Sequence, residues 1–390
     1  MRRINRIEVE NFKSLVDFQI DLAKFSCLIG MNGAGKSTVL QFFDFLSQLV
    51  RGDMKGWLSE RKWKSTDLKS KLSRKVNVEI CVRFVDEQGE SAGRWNATYS
   101  PSKNRCTSER IDLLDHLLET SKEKVEITDL ASGQAKRYDI TFDYEGSILS
   151  ALKEELLPSS VLECKKLFAG VKSLDLLAPE HLRQRTRESS GTLGLGGQNL
   201  SAFLHEMSDQ KRLAMIQRLK QAYPHLQGLH AKPLKAGWKQ LEISESYKDA
   251  GPGFFPKMTT EARHINDGML RLIAILAELQ SEYQFLLFDE IENGINPELV
   301  EFVLNELVTS PKQIMVTTHS PMILNYLTDD VARSGVLYLY KTREGHTNSI
   351  PFFSIPSLAE KLTVMGPGEA FVDTNLTELS EEIDSITEAE

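Results

Sequence analysis

Alternating apolar and polar residues open the chain in "MRRINRIEVENF", which predicts a strand rather than a signal peptide. The continuous apolar run "FSCLIG" that follows predicts a buried strand, and the next segment, "STVLQFFDFLSQLV", predicts a helix. Residues 1–50 are therefore expected to run strand, strand, loop, helix. Further along, residues 76–100 and 124–145 predict two hairpins, each around a glycine-containing turn.

The rest of the chain mixes helical and strand patterns. Residues 147–225 favour helices, because apolar residues recur there at roughly helical spacing. Two apolar runs predict buried strands: one in residues 283–297, which ends at Asp289 and Glu290, and one in residues 312–321, whose end presents His319. Strands and helices that follow one another in this way predict an α/β fold.

A glycine-rich loop lies between the predicted strand and helix near residue 30. Residues 30–37 fit G-x-x-x-x-G-K-[ST] at every fixed position. Glycines let the backbone wrap a phosphate, and the N–H groups of the following helix N-terminus attract its charge. Lys36 is expected to bridge the β- and γ-phosphates of ATP, and Ser37 to bind Mg²⁺. The residues predicted to bind the nucleotide in this loop are Gly30, Asn32, Gly33, Ala34, Gly35, Lys36, Ser37 and Thr38.

Two carboxylates end the apolar run "YQFLLF". A strand that delivers a carboxylate to the Mg²⁺ edge of a phosphate loop is the Walker B arrangement, so Asp289 is a predicted metal ligand. The adjacent Glu290 suits a general base that polarises the attacking water. His319 ends the next predicted strand, from where a histidine can reach a γ-phosphate. We therefore predict Lys36, Glu290 and His319 as catalytic residues.

A turn at residues 266–268 is predicted to open an amphipathic helix with apolar residues on one face. Asn266 and Gly268 lie in this turn. A helix N-terminus with a glycine entry is a second end at which an anion can bind.

In this order, these motifs resemble the ABC-type ATPases of the RecF/SMC class, and in particular the overcoming-lysogenization-defect (OLD) family and related ATPases of bacterial anti-phage systems. The resemblance covers the first 50 residues and roughly residues 255–370. It implies an α/β fold, namely an ABC-type P-loop ATPase head with mixed β-sheets, flanking helices and a helical insertion. It also implies that ATP and Mg²⁺ are bound.

The resemblance assigns further residues. It implies that the helix beginning at Asn266 carries the signature motif, in which Asn266 and Gly268 complete the ATP site of a second subunit. Family members usually have Ser where this chain has Asn266, whose amide can also donate to a γ-phosphate. Similarly, the "ENFKSL" turn places Asn11 and Lys13 near the nucleotide, and residues 295–297 form the D-loop at a dimer interface.

Four parts are predicted along the chain. They are an N-terminal lobe of the head with the phosphate loop and the hairpins (1–146), a mainly helical insertion (147–252), a C-terminal lobe with the signature, Walker B, D-loop and histidine (253–366), and an acidic tail (367–390). The tail has eight acidic residues and no Lys or Arg. This composition favours a disordered or partner-docking segment over a catalytic one.

Composition and charge limit the classes of partner that this chain is expected to bind. The net charge of −8 gives no general affinity for nucleic acid, so DNA binding would need a local patch. Residues 55–75, with eight Lys or Arg and two Trp, offer such a patch, although a solvated surface is slightly favoured. Four scattered cysteines suit a reducing cytoplasm, and no apolar run approaches the ~20 residues of a membrane span. A cytoplasmic protein without a membrane partner is expected, and DNA binding stays open.

Three functions compete: a sensor or switch of a bacterial anti-phage defence system, a DNA-repair or chromosome-maintenance ATPase of the RecF/SMC kind, and a transporter subunit. Transporter subunits usually carry L-S-G-G-Q where this chain has I-N-D-G-M, which disfavours them. The "DEIENG" and "TTHSP" blocks look more like the OLD group, so defence is favoured. We expect an ATPase that forms a homodimer or a higher even-numbered homo-oligomer. Since no D-x-D pair of a TOPRIM nuclease follows His319, a separate effector protein, a nuclease or toxin, is also expected.

Overall fold

The computed structural model describes residues 2–121, 123–175, 178–247 and 257–389, so the predicted boundary at 252/253 lies outside the described residues. The strands, in chain order, are β1 (Arg3–Phe12), β2 (Leu15–Asp21), β3 (Phe25–Ile29), β4 (Val78–Val85), β5 (Ser91–Ser100), β6 (Arg105–Leu113), β7 (His116–Ser121), β8 (Lys124–Asp129), β9 (Ala135–Asp139), β10 (Val171–Leu174), β11 (Leu226–Pro233), β12 (Lys239–Ser246), β13 (Lys257–Glu261), β14 (Phe285–Phe288), β15 (Gln313–Thr317), β16 (Val336–Lys341) and β17 (Thr347–Pro351).

The α-helices, also in chain order, are α1 (Lys36–Arg51), α2 (Met54–Glu60), α3 (Ile148–Ala151), α4 (Ser159–Ala169), α5 (Pro179–Leu182), α6 (Leu200–Glu206), α7 (Asp209–Ala222), α8 (Asp267–Leu279), α9 (Pro297–Val308), α10 (Asp329–Gly335), α11 (Pro356–Lys361), α12 (Pro367–Val372) and α13 (Leu376–Ala389). None of the described helices combines the length and the apolar composition that crossing a membrane requires.

The chain divides into two compact units. Unit 1 consists of residues 1–172, 284–287 and 313–390, and unit 2 of residues 173–283 and 288–312. Each unit is therefore assembled from segments that are far apart in the sequence.

Unit 1 contains a large antiparallel sheet with the strand order β2-β1-β4-β5-β6-β7-β8-β9. Strand β1 shows the effect of the alternating pattern. Its Ile7 and Val9 are buried, whereas Glu8 and Glu10 are only partly buried. Both predicted hairpins are present, as the antiparallel pairs β4–β5 and β8–β9. The fold is α/β, as expected.

A second sheet has the order β10-β14-β15-β3-β16-β17. In its centre, β3 pairs in parallel with β15 on one side and with β16 on the other. Because parallel strands end at the same edge of a sheet, the loop after β3 and the residues after β15 come together. This edge carries the phosphate loop and His319.

The helix α1 is fixed by an aromatic core in unit 1. Phe45 of α1 stacks on Phe12 of β1 at 5.2 Å between ring centroids, and lies edge-on to Tyr99 of β5 at 5.0 Å. On its other flank, Phe43 meets Phe285 of β14 at 5.1 Å. Burying such a side chain stabilises the fold by roughly 1.5–3 kcal/mol, so α1 is held firmly under the loop that precedes it.

Unit 2 contains the three-stranded antiparallel sheet β11-β12-β13 and the buried helix α8. The strands β11 and β12 lie in the segment predicted to be mainly helical, which the structure shows to be mixed. They form a hairpin whose turn includes Ala236 and Gly237, both at positive φ. The helical prediction missed this pair because its apolar residues alternate with period two over only short runs.

The acidic tail of unit 1 is helical rather than disordered. Its last helix, α13, buries Leu379 and Ile383 and is tied down by an ion pair of 2.9 Å between Arg343 and Asp384. In addition, Glu382 accepts a hydrogen bond of 3.1 Å from the backbone N–H of Ser357. Composition alone did not predict this helix, because it reflects the many carboxylates. The few apolar residues are spaced by three and four positions, which places them on one face of a helix.

Candidate functional site

The phosphate loop of unit 1 needs glycine for steric reasons. Gly30 and Gly35 adopt φ values of 143° and 115°, in the region that residues with a side chain rarely enter. A Cβ atom on Gly30 would collide with the carbonyl oxygen of Leu339, and one on Gly35 with the side chain of Thr347. The two glycines therefore allow β16 and β17 to pack directly against the loop.

Helix α1 begins at Lys36, immediately after this loop, and has no acidic residue in its first turn. The side chain of Lys36 is almost completely buried, and its Nζ donates to the carbonyl oxygen of Gly30 at 2.7 Å and to that of Met31 at 3.3 Å. A cation above backbone N–H groups at a helix N-terminus is an arrangement that binds phosphate. The predicted loop residues thus fit a nucleotide phosphate.

His319 lies beside Lys36, as the parallel pairing of β15 with β3 requires. Thr317 is opposite Leu28 in the register, and two residues later the Nδ1 atom of His319 is 3.5 Å from Lys36 Nζ. Lysine can only donate, so this nitrogen of His319 must accept. Two of the three predicted catalytic residues therefore meet in unit 1.

Thr347 of β17 supports the phosphate loop and was not predicted. Its side chain is fully buried, and its Oγ1 donates to the carbonyl oxygen of Ala34 at 2.9 Å. The same Oγ1 accepts from Lys341 Nζ at 2.9 Å and lies 2.8 Å from Ser14 Oγ. No local pattern marks this threonine, because Ala34 and Ser14, which link it to the phosphate loop and to the turn after β1, are more than 300 residues away in the sequence.

Changing Thr347 to Val should weaken nucleotide binding about fivefold to tenfold, because Val keeps the volume but leaves the loop carbonyl without its donor, a loss of about 1 kcal/mol. The dissociation constant of a fluorescent ATP analogue measures this effect. Thr342→Val on the same hairpin is the matched control, since the Thr342 side chain bonds within the hairpin turn, where its Oγ1 accepts from the His346 N–H at 3.3 Å and it also hydrogen-bonds with Glu344. Equal affinity of the Thr347→Val variant and the parent would contradict a supporting role for Thr347.

In unit 2, Asn266 and Gly268 form the N-terminus of α8. The Oδ1 of Asn266 accepts from the backbone N–H of Met269 at 2.8 Å, so asparagine acts here as a helix cap. A Cβ atom on Gly268 would lie 3.0 Å from the carbonyl oxygen of Gly294, which leaves little space for a side chain. The turn after β14 is therefore in contact with the first turn of α8.

That turn carries both predicted carboxylates. Asp289 follows β14 directly, and Glu290 adopts a left-handed backbone conformation with φ 46°. For a residue with a side chain this conformation costs about 1 kcal/mol or more. Asn293 holds it in place, because its N–H donates to the Glu290 carbonyl at 3.0 Å and its Nδ2 to Glu290 Oε2 at 3.3 Å. Backbone strain of this kind concentrates at functional sites.

Asn11 and Lys13 have structural partners within unit 1. The Nδ2 of Asn11 donates to the carbonyl oxygens of Lys75 at 2.9 Å and Asn77 at 2.7 Å, which pins the segment before β4. Lys13 donates to Gln41 of α1 at 2.7 Å, and burial, together with the charge of Arg61, lowers its pKa to about 8. Their proximity to a nucleotide stays a prediction.

In the basic segment 55–75, Trp57 is buried and Trp63 is partly buried. Trp57 is buried and donates to Asp44 at 2.7 Å, and Trp63 packs edge-on against Trp57 with Lys13 Nζ 3.3 Å from its ring centre. Arg61 is ion-paired with Asp44. Base stacking needs exposed rings, so the structure favours a solvated surface here over a nucleic-acid site.

Comparison with known proteins agrees with this geometry. The AAA ATPase domain family matches residues 2–165, and an AAA-domain family whose description names the AbiEii toxin of a type IV TA system matches residues 259–325. An OLD nuclease from Thermus scotoductus is 33% identical over 81 residues, which are 21% of this chain and 14% of that protein. The chain thus matches a small part of the relative's length.

A solved SMC head bound to the C-terminal winged-helix domain of ScpA has the same fold. It is 14% identical, with a TM-score of 0.51, and the alignment covers 90% of this chain and 99% of that one. The two family matches include the phosphate loop and the Asp289-Glu290 turn. The two family matches, the short match to the OLD nuclease and the fold shared with an SMC head support an ABC-type ATPase of the RecF/SMC/OLD class.

Proposed function

We propose that the chain binds and hydrolyses ATP and acts as the dimerising switch subunit of a bacterial anti-phage defence system, in which it controls a separate effector protein. The observation that carries the proposal is the phosphate loop of unit 1, with glycines at positive φ and Lys36 held over the loop carbonyls.

Each predicted site residue has its own proposed role in ATP binding or hydrolysis. Lys36 and the N-terminus of α1 hold the β- and γ-phosphates, and His319 contacts the γ-phosphate. Ser37 and Asp289 are the residues proposed from the sequence to hold Mg²⁺, which would supply positive charge to the phosphates. Glu290 orients the attacking water and accepts its proton.

The defence role is supported by two relatives. One family match is named for a toxin of a toxin–antitoxin system, and the curated relative is an OLD nuclease. We assign the destructive activity to a separate nuclease or toxin, because the parts of this chain that match known families match ATPase domains, and one of those families is described by a toxin of a type IV TA system. A purified chain that cleaves DNA or RNA with Mg²⁺ or Mn²⁺, and still does so as Lys36→Ala, would contradict the two-component proposal.

Dimerisation is proposed because the signature helix of an ABC head serves the nucleotide of its partner. Gly268→Asp would then place a carboxylate against the partner's γ-phosphate. In the hydrolysis-blocked Glu290→Gln form, we expect ATP-dependent association to weaken at least about 100-fold, since like charges in contact cost several kcal/mol. Light scattering with and without ATP measures the association.

Gly237→Asp is the matched control for this experiment. Gly237 is in the same unit, and a Cβ atom there would meet nothing within 4 Å, so the variant adds the same charge without touching α8. A strictly monomeric species that hydrolyses ATP at the normal rate would rule out the shared site, whereas dimers that form without ATP would be compatible with it.

A further inference from the structure

Arg271 is a buried cation in the middle of α8. Only 3% of the residue is exposed, and its Nε has no hydrogen-bond partner among the described residues. An arginine stays charged in proteins, and burying a charge without satisfying its donors costs free energy. Burial of this guanidinium therefore lowers the stability of the fold unless nearby negative charges compensate for it.

Carboxylates from three segments of unit 2 face this guanidinium. Burial lowers the pKa of Arg271, while the negative charges of Asp175, Glu292, Glu290 and Asp267 act to raise it. They come from the end of β10, from the turn after β14 and from the N-terminus of α8.

Asp267, at the N-terminus of α8, also interacts with a second arginine. Asp267 is ion-paired with Arg183, whose guanidinium also donates to the carbonyl oxygen of Ile265 at 2.8 Å. Asp267 has the smallest of the four effects on the pKa of Arg271, and Asp175 and the two glutamates of the turn after β14 have the larger ones.

The guanidinium also packs on the backbone of that turn. Gly294 has φ 70°, and a Cβ atom there would lie 3.1 Å from Arg271 Nη1 and 3.3 Å from its Cδ. Gly294 therefore provides the space in which the arginine lies. Four residues earlier in the same turn, Glu290 adopts its left-handed conformation.

We infer that Arg271 is a positioning residue that ties α8 to the turn of residues 289–295 and holds the Glu290 carboxylate in place for the attacking water. The inference rests on the proposed function, in which Glu290 is the general base. Helix α8 would then have two roles. Its N-terminus would contact the nucleotide of the partner, and its Arg271 would position Glu290 of the same chain.

Arg271→Met keeps the length of the side chain and removes its charge. We expect kcat for ATP to fall at least about tenfold while KM stays within about twofold, since a positioning residue acts on the reacting group and not on nucleotide binding. Arg271→Lys restores the cation and should return kcat to within about threefold of the parent. Arg263→Met, which removes an exposed arginine paired with Glu261 at 3.0 Å in the same unit, is the control and should change neither constant.

A second pair of variants changes the glycine side of the contact between Arg271 and Gly294. This pair tests the positioning role even if Arg271→Met does not fold. Gly294→Ala would push the guanidinium away and should lower kcat with KM unchanged. Gly191→Ala introduces the same backbone strain at φ 73° in the same unit, but its Cβ meets nothing within 4 Å, so kcat should be retained.

The outcomes separate this inference from the proposed function. Normal kcat in Arg271→Met or in Gly294→Ala would overturn the positioning role, as would equal losses in Arg271→Met and Arg271→Lys. A parent protein without ATPase activity, or a Glu290→Gln variant with full activity, would instead overturn the proposed function itself.

Discussion

Changing Lys36 to Ala should abolish nucleotide binding at physiological ATP concentrations. Lys36 Nζ is the cation held over the phosphate loop, and the carbonyl oxygen of Gly30 fixes its position at 2.7 Å. A charge-assisted hydrogen bond to a phosphate contributes about 1.5–3 kcal/mol, and this ammonium is expected to bridge two phosphates. The dissociation constant of a fluorescent ATP analogue should therefore rise at least about 100-fold.

The control for this variant is Lys24→Ala. Lys24 is an exposed lysine of unit 1 that precedes β3, so the substitution removes the same charge without altering the loop. The melting temperature without nucleotide should stay close to that of the parent in both variants. Nucleotide affinity that is retained in Lys36→Ala would remove the basis for the phosphate site.

Changing Glu290 to Gln should stop hydrolysis and leave binding intact. An amide cannot accept the proton of the attacking water, and general-base catalysis contributes typically 10²–10⁴-fold, so kcat should fall at least about 100-fold. Glutamine has nearly the same shape, and its Oε atom can still accept from Asn293 Nδ2, which preserves the strained turn. Steady-state phosphate release, together with nucleotide affinity, measures the two effects separately.

A nearby glutamate provides the comparison for this second variant. Glu298 lies exposed in the first turn of α9, so Glu298→Gln removes a carboxylate from the same unit without reaching the turn after β14. Turnover at the parental rate in Glu290→Gln would mean that the Walker B assignment is wrong.

Several features of this protein were predictable because each depends on neighbouring residues only. The phosphate loop is one of them, since the positive φ values of Gly30 and Gly35 and the start of α1 at Lys36 follow from a motif of eight residues. The two antiparallel hairpins were equally local, because their alternation and their turns lie within about 25 residues. The α/β class followed from the sum of such short patterns.

Other features depended on which distant segments pack together. Trp57 and Trp63 form part of a basic run in the sequence, but the fold buries or packs them against unit 1, which sequence alone could not decide. Composition favoured a disordered or partner-docking tail, whereas the described tail contains a packed helix that buries Leu379 and Ile383. In both cases tertiary packing, which composition does not reveal, determines whether these hydrophobic side chains are covered.

The sequence by itself determined the kind of chemistry at the loop and the order of the carboxylates and the histidine. The tertiary structure alone decided which residues support them: Thr347 donates to the loop at Ala34, and Arg271 lies on the backbone of Gly294. A phosphate loop is encoded locally because its backbone geometry sets its own residue requirements. A supporting contact of this kind is set by packing between separate elements of the fold, so no sequence motif predicts it.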